Sequence, residues 1–379
     1  MPCLRRLPQA GCGSAKLHQA AAILLRAPCA ARQYSPAPTA LPCIKMDDRQ
    51  YAIMTVCSDD YAFAAANMML SVRDNSPRVF EACDFILYHQ GLCEQNRRAL
   101  EHISDRIRFV EMTDDIPQIC SAFYDSSDRN AQFGLTKLHA FEHLQHYRRI
   151  VWFETDIFVS KPVDYLFFEA DCDIAFWPCG VRGREYYSHL LRDPQDDPPV
   201  CQGGVTVFDS SLNRFALTGD ALRRSCEGLA GVVRGGEASI EEKLMSWLVY
   251  SHEMRYLELP IAYNATLYFL VKSNQVAAFV DSHVQHFAAG PYAKPWINDL
   301  IYRAFPRWGY NHYRFLRYGG TNCPAMDEQQ SFFSDHYTLD ALIRYVKQAS
   351  GAPRRTPPAR KGGKGGQRPR VMLRYRRRS

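Results

Sequence analysis

The sequence of 379 residues lacks several features that would each point to a particular class of protein. Its 13 cysteines include no Cys-x-x-Cys pair, which argues against a structural zinc site. Their odd number and scattered spacing do not resemble a disulfide framework, so we expect mostly reduced, buried thiols. No internal repeat is visible. No apolar run approaches the roughly 18–20 residues that a membrane span needs.

Acidic residues are absent from both ends of the chain. Residues 1–46 carry six Lys and Arg, residues 351–379 carry eleven, and neither segment has an Asp or Glu. The middle of the chain, 47–350, therefore holds 29 basic against 40 acidic residues, a net charge of −11. An acidic body argues against nucleic-acid binding by the folded domain. The net positive charge of the whole chain belongs to its two ends.

Each basic end allows two interpretations. The Arg-rich segment 1–46 is either an organellar targeting segment or an unstructured extension with no address. The tail 351–379 is rich in Pro, Gly and Arg, and we expect it to be disordered. Its charge either binds an anionic surface, such as membrane, RNA or acidic protein, or is only solvated. Between these ends, we expect one folded domain over 47–350.

Short apolar runs alternate with helix-length segments through this middle part. Strands are predicted at Tyr51–Cys57, Cys83–Tyr88, Ile107–Met112, Arg149–Glu154 and Ile174–Trp177. Helices are predicted at Tyr61–Val72, with Ser58-Asp59-Asp60 available to cap it, and at 94–103 and 136–147. The alternation predicts an α/β domain with a mostly parallel sheet flanked by helices. In such sheets, ligands bind beyond the carboxyl ends of the strands.

One predicted strand leads directly into two carboxylates. Glu154 and Asp156 are two residues apart, and the alternation of side chains along a strand would place both on one side. Adjacent carboxylates repel each other and are costly to desolvate unless a cation neutralises them. The spacing alone leaves two interpretations, a divalent-metal site or two solvated acids at an exposed strand end.

Six segments resemble, in the same order, glycosyltransferase family 8, the glycogenin-like enzymes. They are Ala52–Tyr61, Gly134–His139, Glu154–Asp156, Cys201–Phe208, Glu241–Met245 and His286–Trp296. The resemblance covers about residues 51–296 and implies a GT-A type fold. It also implies a retaining hexosyltransferase that moves a hexose or related sugar from a UDP-sugar to a hydroxyl acceptor. The implied cofactor is Mn²⁺ or another divalent cation.

The resemblance further implies roles for individual residues. The metal ligands would be Glu154, Asp156 and His286. The donor nucleotide would contact Thr55, Val56, Cys57, Ser58 and Tyr61, with the tyrosine ring against the base. The donor sugar and diphosphate would contact Lys137, Thr155, Gln202, Gly203, Gly290 and Lys294. The catalytic residues beside the transferring sugar would be Lys137, Gln202, Glu241 and Glu242.

Several positions depart from the family pattern. Glu154 stands where the family has Asp, Gln202 where it has Asn, and Glu241-Glu242 where it has Asp-Gln. These departures leave open an inactive sugar-nucleotide-binding or scaffolding relative as the alternative. Acids at 241–242 also suit a helix start, where they favour the helix dipole. A nucleotidyltransferase with a related sheet is a further alternative, which the His286–Trp296 segment disfavours.

Two expectations concern modification and location. Asn264-Ala265-Thr266 has the pattern of a glycosylation site, but we expect it to lie in a buried loop and to carry no glycan. Glycogenin-like enzymes work in the cytoplasm, so this compartment is favoured, with the secretory pathway and organelles as alternatives. The sequence offers no dedicated nucleophile. A front-face route, in which the leaving phosphate accepts the proton of the acceptor, needs none.

Overall fold

The computed structural model describes most of the middle of the chain. The described residues are 50–112, 129–188, 191–193, 195–227, 239–267, 270, 275–288, 294–296, 301 and 305–322. The basic ends, 1–46 and 351–379, lie outside these residues, so the expectations about them remain predictions. None of the described helices combines the length and the apolar character that a bilayer crossing requires.

Seven of the described strands form one sheet. They are β1 (Tyr51–Ser58), β2 (Cys83–Gln90), β3 (Ile107–Glu111), β4 (Arg149–Phe153), β6 (Ile174–Arg182), β7 (Pro199–Asp209) and β8 (Tyr256–Glu258). Their spatial order is β3-β2-β1-β4-β7-β6-β8. Neighbouring strands are parallel except where β7 pairs with β4 and β6. The mostly parallel sheet of the sequence prediction is confirmed.

A smaller sheet carries two of the predicted site segments. It consists of β5 (Ile157–Val159), β9 (Ala265–Thr266) and β10 (Val284–His286), in the order β5-β10-β9. The antiparallel register places His286 opposite Ile157. In addition, the N–H of Phe287 donates to the carbonyl oxygen of Asp156 at 3.0 Å. This sheet therefore holds His286 beside Asp156, although 130 positions separate them in the chain.

Helices cover both faces of the large sheet. They are α1 (Ala62–Asn75), α2 (Pro77–Ala82), α3 (Glu94–Glu101), α4 (Arg129–Leu135), α5 (Ala140–His143), α6 (Asp164–Phe168), α7 (Arg184–Tyr187), α8 (Gly219–Glu227), α9 (Ile240–Ser251), α10 (Val276–Val280) and α11 (Pro306–Arg317). Two apolar clusters fill the space between sheet and helices, and β1 divides its side chains between them. Ile53 and Cys57 point into one cluster, and Ala52, Met54 and Val56 into the other. This alternation is the period-two pattern of a strand buried on both faces.

Helix α1 is apolar on all sides, and this accounts for its position. Its residues from Ala62 to Val72 are all buried. A helix without a polar face must be covered on every side. It lies between the sheet and α11, where Asn67 donates to the carbonyl oxygen of Trp308 at 2.8 Å. The predicted cap at Ser58-Asp59-Asp60 forms a three-ten turn instead, Asp59–Tyr61, and Asp59 accepts hydrogen bonds at the start of α3.

The structure corrects two local predictions. The strand predicted to run to Glu154 ends at Phe153, so Glu154 and Asp156 lie in a turn. The N–H of Ile157 donates to the carbonyl oxygen of Glu154 at 3.2 Å within this turn, so strand alternation is not what brings the two carboxylates together. The continuous helix predicted at 136–147 is also wrong. A three-ten turn at Thr136–His139 comes between α4 and α5, and it carries Lys137.

The cysteine prediction is confirmed wherever the side chains are described. Cys57, Cys83 and Cys172 are buried free thiols, Cys93 is a half-buried one, and Cys201 is also buried. Burial raises the pKa of the Cys57, Cys83 and Cys172 thiols, which favours the neutral and unreactive form.

Candidate active site at the edge of the sheet

At the carboxyl end of the sheet, β1 runs beyond its pairing with β4, and the space beside this end of β1 is referred to as the crevice. The pairing of β1 with β4 ends at Met54 and Trp152, whereas the pairing of β1 with β2 continues to Ser58 and Gln90. The last four residues of β1, Thr55–Ser58, therefore extend beyond this pairing. In the strand order β3-β2-β1-β4, this is the point at which the chain changes direction across the sheet. Ligands of open α/β sheets bind at such points.

The residues predicted to contact a nucleotide lie at the carboxyl end of β1 and in the turn that follows it. Thr55, Val56 and Cys57 are buried. Ser58 is half-buried. Tyr61 is 38% exposed and packs edge-on against Trp296, with ring centroids 5.7 Å apart. An accessible tyrosine ring is suited to stacking on a flat ring such as a nucleobase.

The structure brings together the three predicted metal ligands. The Nε2 atom of His286 lies 3.0 Å from Oε2 of Glu154 and 3.2 Å from Oδ1 of Asp156. One ligand atom from each residue lies within 4.8 Å of the others. Glu154 is 29% exposed at its side chain, and the other two are buried. The three residues therefore converge on one point at the wall of the crevice.

Protonation of His286 is controlled by the two carboxylates. Burial alone lowers the pKa of an imidazole, but Asp156 and then Glu154 favour the charged form and raise the pKa of His286 to about 9. The Nδ1 atom of the ring lies 2.9 Å from Oδ1 of Asn264, an amide oxygen that only accepts. Nδ1 therefore carries a hydrogen. The proton shared with the carboxylates is the one on Nε2, the position that a metal ion would take.

The donor set fits a divalent cation. Oδ1 of Asp156 is buried and accepts no well-aligned hydrogen bond from the described residues, which is costly for a carboxylate oxygen. Burial would raise the pKa of Asp156, but Lys294 and His286 outweigh it and hold the pKa well below its usual range. Two carboxylates and one imidazole are a suitable ligand set for Mn²⁺ or a similar ion. Glu154, Asp156 and His286 would hold such an ion.

Two lysine ammonium groups border these ligands. Lys294 forms an ion pair with Oδ2 of Asp156. The side chain of Lys137 is completely buried, and its Nζ donates to the carbonyl oxygen of Gly203 at 3.1 Å and lies 3.7 Å from Oε1 of Glu154. Burial lowers the pKa of an ammonium, but here Glu154 and then Glu241 outweigh it, so the pKa of Lys137 is raised. Lys137 is therefore a fixed positive charge in the wall of the crevice.

Two adjacent glycines in β7 make room for the site. A Cβ atom on Gly203 would overlap Nζ of Lys137, and one on Gly204 would overlap the ring of His286. No residue with a side chain fits either position without displacing a charged group. The Gly-Gly pair in the sequence thus has a direct spatial reason, the close approach of Lys137 and His286 to the strand.

The side-chain amide oxygen of Gln202 points into the protein interior. Its Oε1 accepts from the N–H of Gly204 at 3.0 Å and from the side-chain amide of Asn264. Among the described residues, its Nε2 has no partner, so this group is what Gln202 can present to a ligand. Asn264 is the residue that sequence reasoning missed. The available signal was a polar side chain expected in a buried loop, and Asn264 is indeed fully buried.

Glu241 and Glu242 have different surroundings. Both oxygens of Glu242 accept from backbone N–H groups, those of Ser239 at 2.9 Å and Gly203 at 3.1 Å. Burial, with the charge of Glu241, raises the pKa of Glu242 to about 7. Glu242 thus joins the start of α9 to β7. The carboxylate of Glu241 is left facing the space beside Gly203, with Oε1 3.7 Å from where a Cβ on that glycine would be.

Two further predicted residues add little to this geometry. Thr155 is half-buried in the turn between β4 and β5. Gly290 lies outside the described residues, so its assignment remains a prediction. The described site thus consists of Lys137, Glu154, Asp156, Gln202, Gly203, Glu241, Glu242, His286 and Lys294, together with the end of β1 and Tyr61.

Comparison with known proteins identifies the fold. No protein-family model and no curated protein matches the sequence. Among solved structures, galactosyltransferase LgtC in complex with donor and acceptor sugar analogs matches with a TM-score of 0.53 and 15% identity, over 74% of this chain and 100% of that chain. An active-site mutant of LgtC matches with a TM-score of 0.52 and 16% identity, over 73% and 99%.

A second protein gives a similar result. The bifunctional glycosyltransferase WbbM matches with a TM-score of 0.50 and 13% identity, over 78% of this chain and 53% of that chain. These structures are glycosyltransferases of the GT-A type, and the chain has their α/β fold. At these identities the likeness concerns the fold, and membership of family 8 remains a prediction.

Proposed function

We propose that this protein is a metal-dependent glycosyltransferase that transfers a hexose or related sugar from a UDP-sugar to a hydroxyl acceptor with retention of anomeric configuration. The observation that carries the proposal is the convergence of Glu154, Asp156 and His286 at the carboxyl edge of the sheet. The fold shared with LgtC, whose crystals held donor and acceptor sugar analogs, supports it. Retention and the UDP-sugar donor rest on the resemblance to family 8.

The donor nucleotide would lie in the crevice between β1 and β4. Its base would meet the ring of Tyr61 and the backbone of Thr55–Ser58, beyond the pairing with β4. Aromatic stacking and main-chain hydrogen bonds together recognise a base with modest demands on side chains. This explains why three of the predicted nucleotide contacts, Thr55 to Cys57, bury their side chains in the core.

The diphosphate would lie between the two lysines. Lys294 lies at one side of the carboxylate pair and Lys137 at the other. A bound divalent cation would supply positive charge for the departing diphosphate, held by Glu154, Asp156 and His286. Lys294 must release Asp156 to reach a phosphate oxygen. Positive groups placed where negative charge develops lower the barrier by several kcal/mol, or roughly three orders of magnitude in rate.

The sugar would lie next to Gly203, where Glu241 and Gln202 face the same space. Glu241 can accept hydrogen bonds from sugar hydroxyls, and Nε2 of Gln202 can donate. In the front-face route, the bond from the anomeric carbon to the UDP oxygen breaks while the acceptor oxygen bonds to the same face of that carbon. The acceptor proton passes to the leaving diphosphate, so the route requires no protein nucleophile.

The proposal is tested by donor turnover. Purified protein is incubated with UDP-glucose, UDP-galactose or UDP-N-acetylglucosamine, with and without Mn²⁺, and UDP release is measured. We expect Mn²⁺-dependent release from at least one donor, and its loss in Asp156→Ala and His286→Ala. Full activity in either variant would refute the metal assignment. His146→Ala, an exposed histidine away from the crevice, serves as the control.

The inactive relative remains the alternative, and one observation favours it. Lys294, Lys137 and His286 already neutralise the carboxylate pair from within the chain. A protein of this kind would bind UDP without hydrolysing any UDP-sugar. Titration calorimetry with UDP and Mn²⁺, next to the turnover assay, distinguishes the two. Binding without release from any donor would support the inactive relative.

A further inference from the structure

The geometry points to Asn264 as a positioning residue for the metal site. We propose that Asn264 holds His286 in the one tautomer and ring orientation in which Nε2 faces Glu154 and Asp156, and that Gln202 in turn holds Asn264. The inference rests on the proposed function insofar as His286 is a metal ligand. It concerns metal binding itself, so it can be tested apart from sugar transfer.

The hydrogen bonds determine which side-chain atoms of Gln202, Asn264 and His286 donate and which accept. Oδ1 of Asn264 lies 2.9 Å from Nδ1 of His286, and its Nδ2 donates to Oε1 of Gln202. An amide oxygen cannot donate, so the hydrogen of this contact belongs to Nδ1 of His286. Nε2 is then the ring atom left for Glu154, Asp156 or a cation. Asn264 and His286 are both completely buried, so water cannot replace these contacts.

The opposite orientation of the Asn264 amide is excluded by its neighbours. If the amide were flipped, its NH₂ group would face the Nδ1 hydrogen and its oxygen would face Oε1 of Gln202. Two donors would then oppose each other at one end and two acceptors at the other. Oε1 of Gln202 is itself fixed, because it also accepts from the N–H of Gly204 at 3.0 Å. The N–H of Gly204 in β7 thus determines the orientation of the Gln202 amide, and Gln202 in turn determines the orientation of the Asn264 amide.

The small sheet places Asn264 next to the ring of His286. Asn264 directly precedes β9, and the parallel register pairs His286 with Thr266. The ring of His286 also lies against Gly204, where a Cβ would be only 2.9 Å from Oδ1 of Asn264. The imidazole is therefore enclosed by β7, β9 and β10, and Asn264 is its hydrogen-bond partner on the side away from the carboxylates. Burial also removes Asn264 as a glycan acceptor, despite its sequon.

Hydrogen-bond partners of metal-bound imidazoles usually contribute about 10- to 100-fold to metal affinity. We therefore expect Asn264→Ala to weaken Mn²⁺ binding by about 10- to 100-fold. Asn264→Asp keeps an oxygen that accepts from Nδ1 but sets its second oxygen against Oε1 of Gln202, so it should recover only part of that loss. The measurement is the free Mn²⁺ signal in electron paramagnetic resonance during titration. The control is Asn213→Ala. It removes an amide that donates to the carbonyl oxygen of Leu144, away from the candidate site.

A second measurement needs no variant. In wild-type protein labelled with ¹⁵N-histidine and loaded with diamagnetic Mg²⁺, we expect the Nδ1 atom of His286 to carry the hydrogen. A hydrogen on Nε2 and a free Nδ1 would overturn the inference, and so would Asn264→Ala with wild-type Mn²⁺ affinity. If the wild type binds Mn²⁺ with this tautomer but turns over no donor, the proposed function fails and the inference stands. If the wild type binds no Mn²⁺ or Mg²⁺, both fail.

Discussion

The ammonium group of Lys137 occupies the space that a side chain on Gly203 would need. Its Nζ donates to the carbonyl oxygen of Gly203 at 3.1 Å, and a Cβ on this glycine would overlap it. A completely buried ammonium is stable only with partners, and this one has Glu154 at 3.7 Å. The glycine and the lysine are 66 positions apart and depend on each other.

We expect Gly203→Ala to destabilise the protein by about 1–3 kcal/mol, the usual cost of overpacking a buried site. Gly203 is not in the left-handed backbone region, so alanine introduces no backbone strain and the effect isolates the displaced ammonium. Urea unfolding of the purified variant measures the change in the free energy of unfolding. Donor turnover should fall as well, because Lys137 can no longer keep its place.

A double-mutant cycle shows whether Lys137 is the cause. Lys137→Ala removes the ammonium, so adding Gly203→Ala to it should cost much less than in the wild type. We expect the two changes to couple by about 1–2 kcal/mol, since the residues are in contact. Strictly additive free energies would contradict the contact as described.

The extra methylene of Glu154, compared with Asp, lets its two carboxylate oxygens reach two different partners. Its Oε1 lies 3.7 Å from Nζ of Lys137, while its Oε2 lies 3.0 Å from Nε2 of His286. The shorter Glu154→Asp cannot hold both partners from the same backbone position. A displacement of about 1 Å at a reacting site can cost about 10²-fold in rate, so we expect a loss of that order in donor turnover.

The matched variant is Glu154→Gln, which keeps the length and removes the charge. It should lose Mn²⁺ affinity as well as rate, whereas Glu154→Asp keeps a carboxylate for the cation. Donor turnover and Mn²⁺ titration of both variants distinguish the effect of side-chain length from the effect of charge. If Glu154→Asp equals or exceeds the wild-type rate, the longer side chain has no role in spanning Lys137 and His286.

His143 packs with Tyr88 and His139, apart from the candidate site. Its Nε2 is 2.8 Å from the hydroxyl of Tyr88, whose ring stacks on His139 at 5.0 Å between centroids. Burial, followed by the positive charges of Arg108 and His139, lowers the pKa of His143 to about 4. The charged groups that face it are Arg108, His139, Glu142 and His146. We expect His143 to be neutral in the folded protein at pH 7.

This predicts a loss of stability on mild acidification. A histidine in the unfolded chain binds a proton near pH 6.5, whereas folded His143 does so only near pH 4. Between these values the unfolded state holds the extra proton, so the free energy of unfolding decreases as the pH falls, by about 3 kcal/mol in total. Below pH 4, this residue contributes no further decrease.

Urea unfolding from pH 7 to 4 of the wild type and His143→Gln tests this. Glutamine can still accept from Tyr88 but does not titrate, so the variant should lose less stability across this range. His102→Gln, at an exposed histidine that is not among the groups facing His143, is the control and should follow the wild type. Parallel curves for all three proteins would show that His143 is not buried in its neutral form.

Much of the fold could be predicted from local patterns. Tyr51–Cys57 is a strand and Glu241 lies at a helix start because the residues that decide this are neighbours in the chain. Apolar runs and their spacing determine which segments become strands or helices before any distant contact forms. The strand boundary at Phe153 was wrong by one residue, and this small error changed the reason why two carboxylates meet.

The sequence by itself determined the α/β class, the order of the elements and the residue types available for chemistry. The tertiary structure decided that Lys137 is buried against Gly203, that Glu242 is held by backbone N–H groups, and that Asn264 lies behind His286. These contacts join residues from 22 to 66 positions apart. Their hydrogen-bond partners exist only once the sheets have assembled, so no local pattern specifies them.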